Sequence, residues 1–110
     1  MRTRTWTRVC AVSELTPDRG VAALIDGEAI AIFRLSDDEV AAIDNLDPFS
    51  GASVLSRGIV GSHGDVVTVA SPVYKQRFDL RTGTCLDAPD VSVTVHEARV
   101  VNGWIELLAC

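Results

Sequence analysis

The sequence predicts an all-β fold, a small antiparallel sandwich or partial barrel built from many short strands. Three observations point there. Nearly every periodic segment alternates apolar and polar residues with period two. Two dipeptides, Asp26-Gly27 and Asn102-Gly103, stand between strand-like runs and carry the type I′ hairpin signal, in which both central residues need positive φ. The window with a helix-like start, Ser36-Asp37-Asp38-Glu39-Val40-Ala41-Ala42, yields too soon to Asp44-Asn45 for a helix to compete with a strand.

Taken in order, Trp6 to Val12 reads as a first strand, followed by the turn chemistry of Glu14-Leu15-Thr16-Pro17-Asp18-Arg19-Gly20. Val21 to Ile25 and Glu28 to Leu35 form a hairpin across Asp26-Gly27, and Ser36 to Glu39 turns the chain into a strand at Val40 to Asp44. From Gly51 to Asp65 four glycines punctuate a stretch that reads as irregular, anchored by Val54-Leu55 and Ile59-Val60. Val66 to Ala70 is β-branched, Arg77 to Leu80 alternates, and Thr82-Gly83 turns the chain back. Val91 to Val95 alternates cleanly, and Ala98 to Val101 pairs with Trp104 to Leu108 across Asn102-Gly103.

A chain of 110 residues is expected to form a single domain over 1–110 with one core. Hydrophobic residues make up 47% of it, rather apolar for so small a domain, and a partner is expected to cover part of that surface. The net charge of -5 argues against nucleic acid or an anionic membrane as the main partner, since either needs a basic face. Cys10, Cys85 and Cys110 form no C-x-x-C pair and fit a reducing compartment, with Cys10 and Cys85 as structural thiols. No apolar stretch follows Arg2, Arg4 and Arg8, and no run of apolar residues is long enough to span a bilayer. A soluble cytoplasmic protein is the expectation.

Two segments are the most informative, Asp47-Pro48-Phe49-Ser50-Gly51-Ala52 and Ser71-Pro72-Val73-Tyr74-Lys75-Gln76. With the Val54 to Gly61 segment and the Phe78-Asp79-Leu80-Arg81-Thr82-Gly83 tail, they resemble the two cluster loops of Rieske iron-sulfur domains. The closer resemblance is to the small-subunit family of assimilatory NAD(P)H-dependent nitrite reductases, to which Tyr74-Lys75-Gln76 belongs. Rieske loops read Cys-x-His and Cys-x-x-His, two thiolates on one iron and two imidazoles on the other. The resemblance sets Asp47, Phe49, Ser71 and Tyr74 at those positions. A phenyl ring has no lone pair, and a carboxylate and a hydroxyl lack the soft sulfur donors that such clusters need. The resemblance therefore implies a Rieske-like fold with two modified cluster-loop hairpins and no cofactor on this chain. It further implies a large subunit, holding FAD, a [4Fe-4S] cluster, sirohaem and the NAD(P)H site, that reduces nitrite to ammonium. No G-x-G-x-x-G fingerprint and no cysteine-rich run is present to put that chemistry here.

Phe49 and Tyr74 are expected to pack on each other where a cluster would sit. Asp47 and Ser71 are expected to bond backbone amides across the loops as a clamp. Phe49, Tyr74, Lys75, Gln76 and Arg77 are the candidate partner-binding residues, aromatic anchors beside a basic cluster. The alternative is a free-standing interaction module with another partner. Ser62-His63 and His96-Glu97 hold the ingredients of a hydrolase without a Gly-x-Ser-x-Gly elbow. Two histidines alone do not make a structural zinc site.

Overall fold

The structure, a computed structural model, describes residues 5–36 and 39–109. Among the described residues ten strands form: β1 Thr5–Ala11, β2 Gly20–Ile25, β3 Glu28–Arg34, β4 Val40–Asp44, β5 Ile59–His63, β6 Val66–Ala70, β7 Arg77–Asp79, β8 Val95–His96, β9 Ala98–Val101 and β10 Trp104–Ala109. They make three antiparallel sheets in the orders β1-β10-β9, β2-β3-β4-β8 and β5-β6-β7. Both expected hairpin turns adopt the type I′ signs of φ: Asp26 and Gly27 stand at 49° and 83°, and Asn102 and Gly103 at 50° and 79°.

In the four-stranded sheet β3 and β4 are buried on both faces, while β2 leaves Val21, Ala22 and Leu24 exposed. Successive side chains point to opposite faces. Ile30 and Ile32 pack with Leu15, Ala42, Ile105 and Leu107 against the β1-β10-β9 sheet. Ala31 and Phe33 pack with Ile43, Leu55, Val69, Phe78 and Leu80 toward the β5-β6-β7 sheet. The single expected core is thus two apolar clusters divided by β3 and β4.

Two local expectations need correction. Residues 51 to 65 are not irregular throughout, because Ile59 to His63 pairs with β6 around Gly64 and Asp65. The residues Gly61, Ser62 and His63 remain exposed, so no buried face imposes alternation on them. Val91 to Val95 alternates as expected but does not form a full ladder. Its amides and carbonyls bond to the Gly83 to Cys85 segment, and strand pairing to β4 involves only Val95 and His96. The expected turn at Asp37-Asp38, like Arg2, Arg4 and Cys110, lies outside the described residues. Among the described residues no helix is long and apolar enough to cross a membrane.

Candidate functional site

The two singled-out segments are built on one hydrogen-bonding plan. In the first, the Asp47 N–H donates to the Ala52 carbonyl and the Gly51 N–H to the Asp47 carbonyl, both at 2.8 Å. In the second, the Ser71 N–H donates to the Gln76 carbonyl at 2.9 Å and the Lys75 N–H to the Ser71 carbonyl at 3.0 Å. The opening side chain of each accepts from the amide two residues on, Phe49 N–H to Asp47 Oδ1 at 2.9 Å and Val73 N–H to Ser71 Oγ at 3.2 Å. The fifth residue is left-handed in both, with φ 75° at Gly51 and 68° at Lys75. A further segment, Asp79 to Thr84, repeats the plan: Asp79 N–H to Thr84 O, Gly83 N–H to Asp79 O, Arg81 N–H to Asp79 Oδ1, and Gly83 at φ 80°.

Ser71 Oγ donates to Asp47 Oδ2 at 2.5 Å, and both side chains are fully buried. The loops are clamped as expected, but by side chain to side chain, while the amide bonds stay within each loop. Burial pushes the Asp47 carboxyl up, yet the bonds from Ser71, the Phe49 amide and Ser50 outweigh it and hold it below its ordinary range. Asn45 fastens the first loop from behind, a role the sequence reading missed. Its Nδ2 donates to Ser53 O at 3.1 Å and its Oδ1 accepts from the Ser56 amide at 2.7 Å.

Phe49 does not meet Tyr74. Its ring packs on Phe78, centroids 6.2 Å apart, while Tyr74 is 60% exposed and turned outward. Val73 and Lys75 beside it are exposed too. Arg77 is held within the chain: Nη2 lies 2.9 Å from Asp87 Oδ1, Nε donates to Asp87 Oδ2 at 3.3 Å, and its amide donates there at 2.8 Å. Hydrogen bonding to Arg77 lowers the Asp87 carboxyl. Gln76 is half-buried, with an Oε1 that has no hydrogen-bond partner among the described residues.

A carboxylate, a phenyl, a hydroxyl and a phenol occupy the four positions that the resemblance equates with ligands. The two that replace thiolates are already bonded to each other, and the two that replace imidazoles point apart, one onto Phe78 and one to solvent. These residues do not fit a [2Fe-2S] cluster. Among the described residues no group of three or more His, Cys, Asp or Glu could hold a metal ion. Cys85 is buried, and burial together with Glu14 pushes the half-buried Cys10 thiol up, away from thiolate chemistry. Ser62 and His63 lie on β5, whereas His96 belongs to the middle sheet, where its Nε2 meets Asp44 Oδ1 at 2.7 Å. That contact ties β8 to β4.

Residues 5–108 match the Rieske-like [2Fe-2S] domain family. The nitrite reductase (NADH) small subunit of Salmonella typhimurium is 46% identical over 103 residues, 93% of this chain and 95% of that protein. The chain belongs to the nitrite reductase small-subunit family. A crystal structure from Mycobacterium tuberculosis, described as an NADH-dependent nitrite reductase small subunit, superposes with a TM-score of 0.93 at 50% identity, covering 99% of this chain and 98% of that one. A segment of the Klebsiella oxytoca nitrite reductase [NAD(P)H] large subunit is also 39% identical over 104 residues, 93% of this chain and 11% of that protein. A small-subunit-like domain therefore occurs within a large-subunit polypeptide.

Proposed function

We propose that this chain is the accessory small subunit of a cytoplasmic NAD(P)H-dependent nitrite reductase, and that it binds the catalytic large subunit and carries no redox centre. FAD, the [4Fe-4S] cluster, sirohaem and the NAD(P)H site belong to the large subunit in this reading. The observation that carries it is the near-full-length identity to a nitrite reductase (NADH) small subunit. The matching segment inside a large-subunit chain supports direct association, since a domain joined covalently to a partner in one organism is a natural candidate for non-covalent contact in another.

The contact surface proposed is the loop end, with Tyr74 and Lys75 projecting and Phe49, Gln76 and Arg77 behind them. Lys75 supports this choice. It holds a left-handed φ of 68° at a position where the equivalent segments use Gly51 and Gly83. A non-glycine residue there carries a strain of about 1 kcal/mol, and such strain clusters at functional positions. Its side chain is exposed and makes no hydrogen bond or ion pair among the described residues.

Co-expression of the tagged chain with its host's sirohaem-containing large subunit tests the proposal. Co-elution and faster nitrite-dependent NAD(P)H oxidation with the small subunit present are expected. Absence of association at every salt concentration would refute it.

A further inference from the structure

The outward face of the β1-β10-β9 sheet carries an ordered ladder of aromatic and basic side chains, distant in sequence from the loops. Both tryptophans of the chain lie on it, Trp6 at 37% exposure and Trp104 at 39%. The Arg99 guanidinium sits 3.8 Å over the Trp6 ring and that of Arg8 sits 4.8 Å over Trp104. Arg99 Nη2 and Nε meet Glu106 Oε1 at 2.7 and 2.8 Å. Glu106 stands opposite Arg8 in β1 and opposite Arg99 in β9, so the set crosses all three strands. The opposite face is the one packed into the core, through Ile105 and Leu107.

We propose that this ladder is a second docking face for the large subunit, one that receives a carboxylate-bearing segment of it; the inference rests on the function proposed above. Three features of the face select that occupant. Its composition is that of interface hot spots, in which Trp and Arg are enriched. Its stacking fixes long side chains in advance, which lowers the entropy lost on binding. Its charge is mismatched with the rest of the chain: two guanidiniums face one carboxylate on a protein of net charge -5. Glu106 is taken by Arg99, and Arg8 makes no ion pair among the described residues. A guanidinium lying over a ring uses its face and keeps its edge N–H donors for a carboxylate. The acidic remainder of the chain repels the phosphates of nucleic acid and membranes, and protein carboxylates suit a small cationic site of this kind.

The test uses the small and large subunits as purified, with hydroxyl-radical footprinting read by mass spectrometry and binding measured at two salt concentrations. In the complex, oxidation of Trp6 and Trp104 falls several-fold. Arg8→Glu, which breaks no ion pair among the described residues, weakens binding about tenfold at low salt, the scale of a hot-spot side chain. Arg8→Lys, which keeps the charge without the planar fork, falls between. The inference is overturned if a complex forms while both tryptophans keep their free-chain reactivity, or if Arg8→Glu binds as the parent does. Failure of the parent chain to bind at all overturns this inference and the accessory-subunit reading together, so the two failures are distinguishable.

Discussion

The loops Asp47–Ala52 and Ser71–Gln76 share a backbone plan and differ in what they do with their side chains. The first turns its third residue inward, Phe49 onto Phe78, and places glycine at the left-handed position. The second turns Val73 and Tyr74 outward and places Lys75 in the same left-handed conformation. One loop is thereby built into the fold and the other presented to solvent. The buried Ser71–Asp47 hydrogen bond holds the second rigid against the first. In this chain, two loops of the kind that grip a cluster in Rieske domains are held to each other by a neutral donor and an anionic acceptor. The loop tips are then free to carry other chemistry.

Breaking the clamp has the largest expected effect. Asp47→Ala leaves the buried Ser71 hydroxyl and the Phe49 amide without their acceptor and is expected to lower stability by about 3 kcal/mol, measured by urea denaturation. Ser71→Ala removes the bond to Asp47 and the weaker one from the Val73 amide, and is expected to cost about 1.5 kcal/mol. Next comes the contrast between the loop aromatics. Phe49→Ala is expected to cost about 2 kcal/mol, below the full range for a buried ring because Phe49 is half-buried. Tyr74→Ala stays within about 0.5 kcal/mol of the parent in stability but weakens binding to the large subunit. Similar stability losses in both variants would erase the distinction between a structural loop and a contact loop.

Acid sharpens the same comparison. Asp47 has a folded pKa below its ordinary 3.8, so its stabilisation is fully present above that unfolded value and is lost as pH falls through the folded one. Stability is expected to decline below about pH 4, and Asp47→Asn is expected to flatten that part of the profile, as followed by thermal unfolding across pH 2.5 to 6.

The hairpins at Asp26-Gly27 and Asn102-Gly103 were legible because the turn chemistry is local. The double-sided burial of β3 was not anticipated, because its apolar run from Ala29 to Phe33 is equally compatible with a single core. The importance of positions 47, 49, 71 and 74 was legible only through resemblance, and their partners were not, because a ring at a loop tip chooses between Phe78 and Tyr74 by tertiary packing. β5 was hidden by its exposure, since Gly61, Ser62 and His63 serve no buried face. The repeat of the loop plan at Asp79 to Thr84 was masked by Lys75, which breaks the glycine spacing of the other copies. The tryptophan and arginine ladder depends on the pairing of the first strand with the last, a non-local register that no sequence period reports.

A small stability gain accompanies the most direct test of Lys75 as a contact residue. Lys75→Gly relieves the left-handed strain but loosens the unfolded chain, so a net gain of about 0.5 kcal/mol is expected. The same substitution removes the exposed cation that the account gives to the partner. Stability and affinity for the large subunit should be measured on one preparation of this variant. A fold at least as stable as the parent and binding weakened several-fold are expected. A variant that binds as tightly as the parent would contradict that expectation, and Lys75 would then be a strained residue without a role at the contact.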